Sequence, residues 1–159
     1  MKKLLAIISA LILWAGAAFA QTTVTTPSQS LKLQYKGARA IGSDIELTVV
    51  VTNVSASETV VNLVGGSYQT GMAGSIVYDN EGNIYERGNV LVSVGNKSYT
   101  EQYSAGSFPS KVPVKCHILV RNVAAEAASF AKVKLCVLCP EIDIRNTGVC
   151  FELNDLRIK

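Results

Sequence analysis

From Leu31 onward, apolar and polar residues alternate with a period of two, the signature of half-buried β-strands. In residues 31–35 ("LKLQY") Leu31, Leu33 and Tyr35 share a face. In 44–53 ("DIELTVVVTN") Ile45, Leu47, Val49 and Val51 point one way, and Glu46, Thr48 and Thr52 the other. Turn formers bound this run: Gly42-Ser43 before it, Asn53 and Ser55-Ala56-Ser57 after it. Residues 59–64 predict a further strand. "SIVYD" and "NIYERG" flank the turn Asp79-Asn80-Glu81-Gly82-Asn83, and "NVLVSV" and "KSYTEQY" flank Gly95-Asn96, so two hairpins are expected. The clearest alternation is in "VPVKCHILVRN", where Val112, Val114, Cys116, Ile118 and Val120 line one face and Lys115, His117 and Arg121 the other. Residues 124–131 ("AAEAASFA") have the only helix-friendly composition and predict one short helical link. "KVKLCVLC" and "GVCFELNDLRIK" close the chain as strands. The expectation is an all-β antiparallel sandwich of seven to nine strands with that helical link.

The N-terminus departs from this pattern. Residues 1–20 carry a basic start at Lys2 and Lys3, an apolar run from Leu4 to Trp14, and a small-x-small site at Ala18-Phe19-Ala20. That order predicts a signal peptide cleaved before Gln21. The run is too short to span the ~30 Å hydrocarbon core of a bilayer, so no membrane insertion is expected after cleavage. The mature chain is expected to be secreted, periplasmic or on the cell surface. Residues 21–30 ("QTTVTTPSQS") read as a flexible polar lead-in, leaving 31–159 as one sandwich domain.

Export also changes the charge. The formal net charge of +3 includes Lys2 and Lys3, and the chain's one Trp, Trp14, leaves with them. What remains is nearly neutral and has no basic cluster, so no nucleic-acid partner is expected. The sequence carries no cofactor motif.

Four cysteines, Cys116, Cys136, Cys139 and Cys150, then ask for an explanation. Strand parity places Cys136 and Cys150 on outward faces and Cys116 and Cys139 inward, which pairs Cys136 with Cys150 and Cys116 with Cys139. A Cys139–Cys150 bridge is the rival, and Cys116 also fits a small buried hydrophobe. Zinc ligation wants paired short spacings, and only Cys136-x-x-Cys139 has one. A thioredoxin-like pair belongs at a helix N-terminus, whereas "LCVLC" reads as strand.

Candidate chemistry is sparse. His117 is the single histidine; it points outward with no carboxylate or nucleophile motif beside it in the sequence. Asp44, Glu46, Glu81, Glu101 and Glu141 occupy loop or outward positions. Asp79, Glu81 and Asn83 alternate as the start of a calcium loop would, without its distal ligands, and a hairpin turn accounts for the same residues. Tyr99, Glu101 and Tyr103 would share one strand face. With Tyr68 they form a candidate surface for a glycan or peptide.

The succession "GARAIGSDIELTVVVTNVSASETV", "YDNEGNIY", "VPVKCHILVRNV" and "KVKLCV" resembles secreted bacterial immunoglobulin-like domains of the DUF4352 type. The resemblance implies strand and turn residues but no catalytic ones, and the cysteines depart from its pattern. The functional expectation is a non-enzymatic binding or accessory module that meets a protein or glycan at the cell envelope. The alternatives are a carbohydrate-binding or adhesion module using exposed tyrosines, and a hydrolase with carboxylates near His117 or Glu101.

Overall fold

The computed structural model describes residues 23–25, 28–68, 74–139 and 148–158. The leader expected at 1–20 and the carboxylate of Glu141 lie outside the described residues. Eleven strands form two antiparallel sheets: β1 (Thr23–Thr25), β2 (Leu31–Ile41), β3 (Asp44–Asn53), β4 (Thr59–Val64), β5 (Ile76–Asp79), β6 (Ile84–Tyr85), β7 (Val90–Val94), β8 (Tyr103–Phe108), β9 (Pro113–Val120), β10 (Ser129–Leu138) and β11 (Val149–Arg157). One sheet has the order β2-β3-β9-β7. The other runs β1-β11-β10-β4-β8, with β5 and β6 also attached through β10. Two strands share one edge of β10: β5 pairs with Phe130–Lys134 and β4 with Cys136–Leu138.

The alternation seen in the sequence becomes the core. Leu31 and Leu33 of β2, Ile45, Leu47, Val49 and Val51 of β3, and Cys116, Ile118 and Val120 of β9 face Leu63, Val133, Leu135, Phe151 and Leu153 of the other sheet. Phe108, Phe130 and Phe151 are fully buried. Burying each such side chain contributes about 1.5–3 kcal/mol before entropy is set against it. Asn53, at the end of β3, is a buried polar exception. It donates to the carbonyls of Ser57 and Phe108 and accepts from Ser55, so the turn after residues 50–53 ("VVTN") closes on its side chain.

The fold differs from the expectation in several places. No helix occurs among the described residues, and the predicted link at 124–131 is a turn leading into β10. Ala127 donates to the Ala124 carbonyl in a single turn, while the amides of Ala128 and Ser129 go to Asn80 Oδ1. Those amides are therefore committed elsewhere, and Phe130 is drawn into the core, leaving too few residues for a helical nucleus. Among the described residues there are eleven strands, because pairs as short as β6 exist only through their partners. Part of the lead-in is also structured: β1 pairs with β11, Val24 opposite Leu153. Lastly, residues 97–102 are not a regular strand. They touch β7 through one bridge, Val92 to Thr100, before β8 begins at Tyr103.

Two local irregularities shape the outer face of the β2-β3-β9-β7 sheet. β2 carries a bulge between Tyr35 and Gly37, where Gly37 has φ +145°, a conformation that a side chain would strain. The 97–102 segment lies along the free edge of β7, and Leu91 and Ser93, outward by parity, are both buried, with the Ser93 hydroxyl donating to the Lys97 carbonyl.

Candidate functional site

The outer face of the β2-β3-β9-β7 sheet gathers the first polar group. Register places Arg39 opposite Glu46, and Thr48 opposite His117. Glu46 Oε1 accepts from Arg39 Nη2 at 2.9 Å and lies 3.9 Å from His117 Nδ1, while Oε2 accepts from the Tyr99 hydroxyl. Thr100, next to Tyr99, borders β7 on the side away from β9, so the Tyr99 side chain must reach across both strands to meet Glu46. The Tyr99 hydrogen bond, aided by the adjacent Arg39 and His117, holds the Glu46 carboxyl below its ordinary range despite partial desolvation. Desolvation, and then the bond to Glu46, push the Tyr99 phenol well up.

His117 therefore does have a carboxylate beside it, contrary to the sequence reading. Nothing in the separate strands revealed this, because the contact depends on the β3–β9 register. Chemically the arrangement is not a relay. Thr48 Oγ1 lies 3.4 Å from Nδ1, the same ring nitrogen that faces Glu46. A nucleophile–base–acid series uses opposite nitrogens. A shallow cavity of about 460 Å³ opens beside these groups, lined by Lys36, Gly37, Arg39, Glu46, Thr48 and His117.

The predicted tyrosine face divides. Tyr99 belongs to the Glu46 group, while Tyr68 and Tyr103 meet elsewhere and Glu101 has Ser67 and Arg121 as neighbours. The irregular path of 97–102 is the reason, since strand alternation does not hold there. The 65–68 segment is hydrogen-bonded to 101–102, with Gly65 N donating to Gln102 O at 2.7 Å and Ser67 N to Glu101 O at 2.9 Å. The approach needs a glycine: a Cβ on Gly65 would sit 2.3 Å from the Glu101 carbonyl oxygen. Tyr68 and Tyr103 meet edge to face with centroids 6.2 Å apart, and Tyr103 is half exposed. The Glu101 carboxylate is also about half exposed (49%). Its neighbours stand at long range, Ser67 Oγ at 3.4 Å and Arg121 Nη1 at 4.0 Å.

The cysteines answer in part as parity predicted. Cys136 and Cys150 are directly opposed in the β10–β11 ladder and form a disulfide, with Cα atoms 3.9 Å apart. Their face is covered, and Val64, Leu138 and Tyr68 pack around Cys136 in a small second core. The Cys116–Cys139 bridge is not formed; both are buried free thiols. Parity turned both inward but did not bring them together. Cys116 sits between Val49 and Val94, whereas Cys139 lies past the end of β10 with its sulfur 3.3 Å from Thr59 Oγ1. Burial pushes the Cys116 thiol up to about 12.

The calcium alternative at Asp79, Glu81 and Asn83 resolves into a hairpin turn. Asp79 is buried, and its carboxylate accepts from the amides of Glu81 and Asn83, the Asn83 side chain and the Tyr85 hydroxyl, at 2.8–3.0 Å. Its lone pairs are occupied by the protein. Burial raises its pKa, but those hydrogen bonds outweigh it and leave the carboxyl below its ordinary range. Among the described residues, no group of three or more His, Cys, Asp and Glu side chains is placed to hold a metal ion. Among the same residues, no helix is long and apolar enough to cross a membrane.

Fold and sites thus define a two-sheet all-β domain with one cross-strand disulfide. No family model and no curated protein matches the chain. Among solved structures, it is similar to AvmM, which catalyses macrocyclization in alchivemycin A biosynthesis. The two share 13% identity over 82% of this chain and 89% of that one, at a TM-score of 0.46. It is also similar to a family 123 glycoside hydrolase from Clostridium perfringens, at 9% identity and a TM-score of 0.42. That match covers 82% of this chain but only 28% of the hydrolase. At these scores neither likeness bears on function.

Proposed function

We propose that the protein is an exported, non-enzymatic binding module of the bacterial envelope, and that it receives a glycan on the rim formed by Tyr68, Glu101 and Tyr103. One observation carries the reading: a half-exposed aromatic ring, braced edge-on by a second, stands close in the chain to a carboxylate whose partners are distant. Sugars present apolar C–H faces flanked by hydroxyl donors, and a ring with a half-exposed, loosely held acceptor close in the chain matches both. The non-enzymatic part rests on His117, whose hydroxyl and carboxylate neighbours share one nitrogen, and on Glu101, whose ion-pair partner is Arg121 rather than a second carboxylate. Export rests on the leader pattern of residues 1–20. Kinship with the DUF4352-type domains belongs to the same proposal; the "VVTN" strand end at residues 50–53 and the Asp79–Gly82 turn support it.

Glycan-array screening of the exported chain tests the reading. Retention of a defined glycan class is expected, and Tyr103→Ala or Glu101→Gln should abolish it while the circular dichroism spectrum stays unchanged. An array without retained glycans, or variants that bind like the parent, would sink the proposal.

A further inference from the structure

The outer face of the β2-β3-β9-β7 sheet holds a second feature that the tyrosine rim does not use. The cavity beside Glu46 is lined by more hydrogen-bond donors than the protein consumes. Arg39 spends one guanidinium N–H on Glu46 and is otherwise 69% exposed, leaving donors of its planar fork open. Lys36, the extra residue of the β2 bulge, also lines the cavity, and its ammonium adds a second cation at that edge of the sheet. Thr48 and His117 supply a hydroxyl and an imidazole. Glu46 is the one acidic group of the lining, and both its oxygens are engaged, by Arg39 and Tyr99.

The lining therefore has unspent donors and two fixed cations against one carboxylate. We infer that this cavity is a separate binding site for a small molecule bearing a single carboxylate. Charge balance selects that class. One monoanion neutralises the remaining positive charge, whereas a phosphate dianion would overshoot and face Glu46. Geometry agrees, because an Arg fork held at one edge by a carboxylate can present its other edge to a second planar carboxylate in bidentate fashion. The depression is shallow and offers about 460 Å³, so a small ligand would lie partly exposed over it. The bulge contributes too. Gly37 puts no side chain into the space, and no atom lies within 4 Å of where its Cβ would be. Bulges commonly re-aim side chains in this way, here Lys36 at the cavity edge.

The site does not depend on the glycan rim, and the test separates them. Isotope-labelled protein is titrated with D-glucuronate, with D-glucose as its neutral counterpart, and with inorganic phosphate, following backbone amide shifts. The expected result is a saturable change at Thr48, His117 and Arg39 with glucuronate and none there with glucose. Changes confined to Glu101 and Tyr103 would report the rim instead and would count against the cavity. Arg39→Gln and Lys36→Met should each weaken the glucuronate response by about tenfold, the loss of one charge-assisted hydrogen bond. Tyr103→Ala should leave that response as it is. Equal responses to glucose and glucuronate, tighter binding of phosphate, or no saturable change at β3 and β9 in a folded protein would each overturn the assignment.

Discussion

Replacing the Cys136–Cys150 bridge by two alanines is expected to cost the domain about 4 kcal/mol, chiefly through the unfolded chain. The two residues are 14 apart in sequence, and closing a loop of that length removes chain entropy worth about 3 kcal/mol near 25 °C. The perturbation is the double variant Cys136→Ala/Cys150→Ala, which leaves no unpaired thiol in the small core of Val64, Leu138 and Tyr68. Loss of the sulfur atoms of buried Cys136 and partly buried Cys150 adds a packing term of about 1 kcal/mol, because the space they leave is only partly refilled. Urea unfolding at equilibrium is the assay, run with and without reductant. Reductant should lower the parent toward the variant and leave the variant where it is. The denaturant slope should rise when the bridge is absent, since an unconstrained unfolded chain exposes more surface. Thiol titration of the unreduced, denatured parent should find only Cys116 and Cys139. Finding all four thiols free would refute the bridge. A stability loss under about 1 kcal/mol, with the bridge intact in the parent, would refute the claim that it constrains an otherwise open loop.

Three more substitutions probe other parts of the fold. Asp79→Ala should destabilise by about 3 kcal/mol, because the Asn83 amide and Tyr85 hydroxyl lose a buried charged acceptor; chemical denaturation reads the change. Because the folded pKa of Asp79 is depressed, its stabilising contribution is complete above the ordinary carboxyl value near ~3.9 and is lost as pH falls through the folded value. Asp79→Asn should therefore flatten the acid limb of the stability profile, and a limb as steep as the parent's would exclude Asp79 as a source. Gly66→Ala should cost about 2 kcal/mol or more, since the new Cβ would lie 2.3 Å from the Arg87 carbonyl oxygen; an unchanged melting temperature would contradict that close approach.

Much of the fold was legible in the chain because strand periodicity is local. The facing of Ile45, Leu47, Val49 and Val51, the hairpin at Asp79–Asn83, and the shared parity of Cys136 and Cys150 all follow from alternation and turn chemistry alone. Tertiary structure decided what alternation cannot carry. Register between β3 and β9 set His117 beside Thr48 and within reach of Glu46, although 69 residues separate Thr48 from His117. The path of 97–102 sent Tyr99 to Glu46 and left Tyr103 with Tyr68, so one expected face became two separate side-chain groups. Cys116 and Cys139 share an inward parity yet stay apart, because parity fixes a side and not a level along the strand. The helix favoured by the composition of 124–131 lost to Asn80 and Tyr85, whose side chains take the amides of Ser129, Ala128 and Ala124. A sequence reports which way each residue turns along its own strand; what it meets there depends on pairings between distant segments, which are settled only when the sheets form.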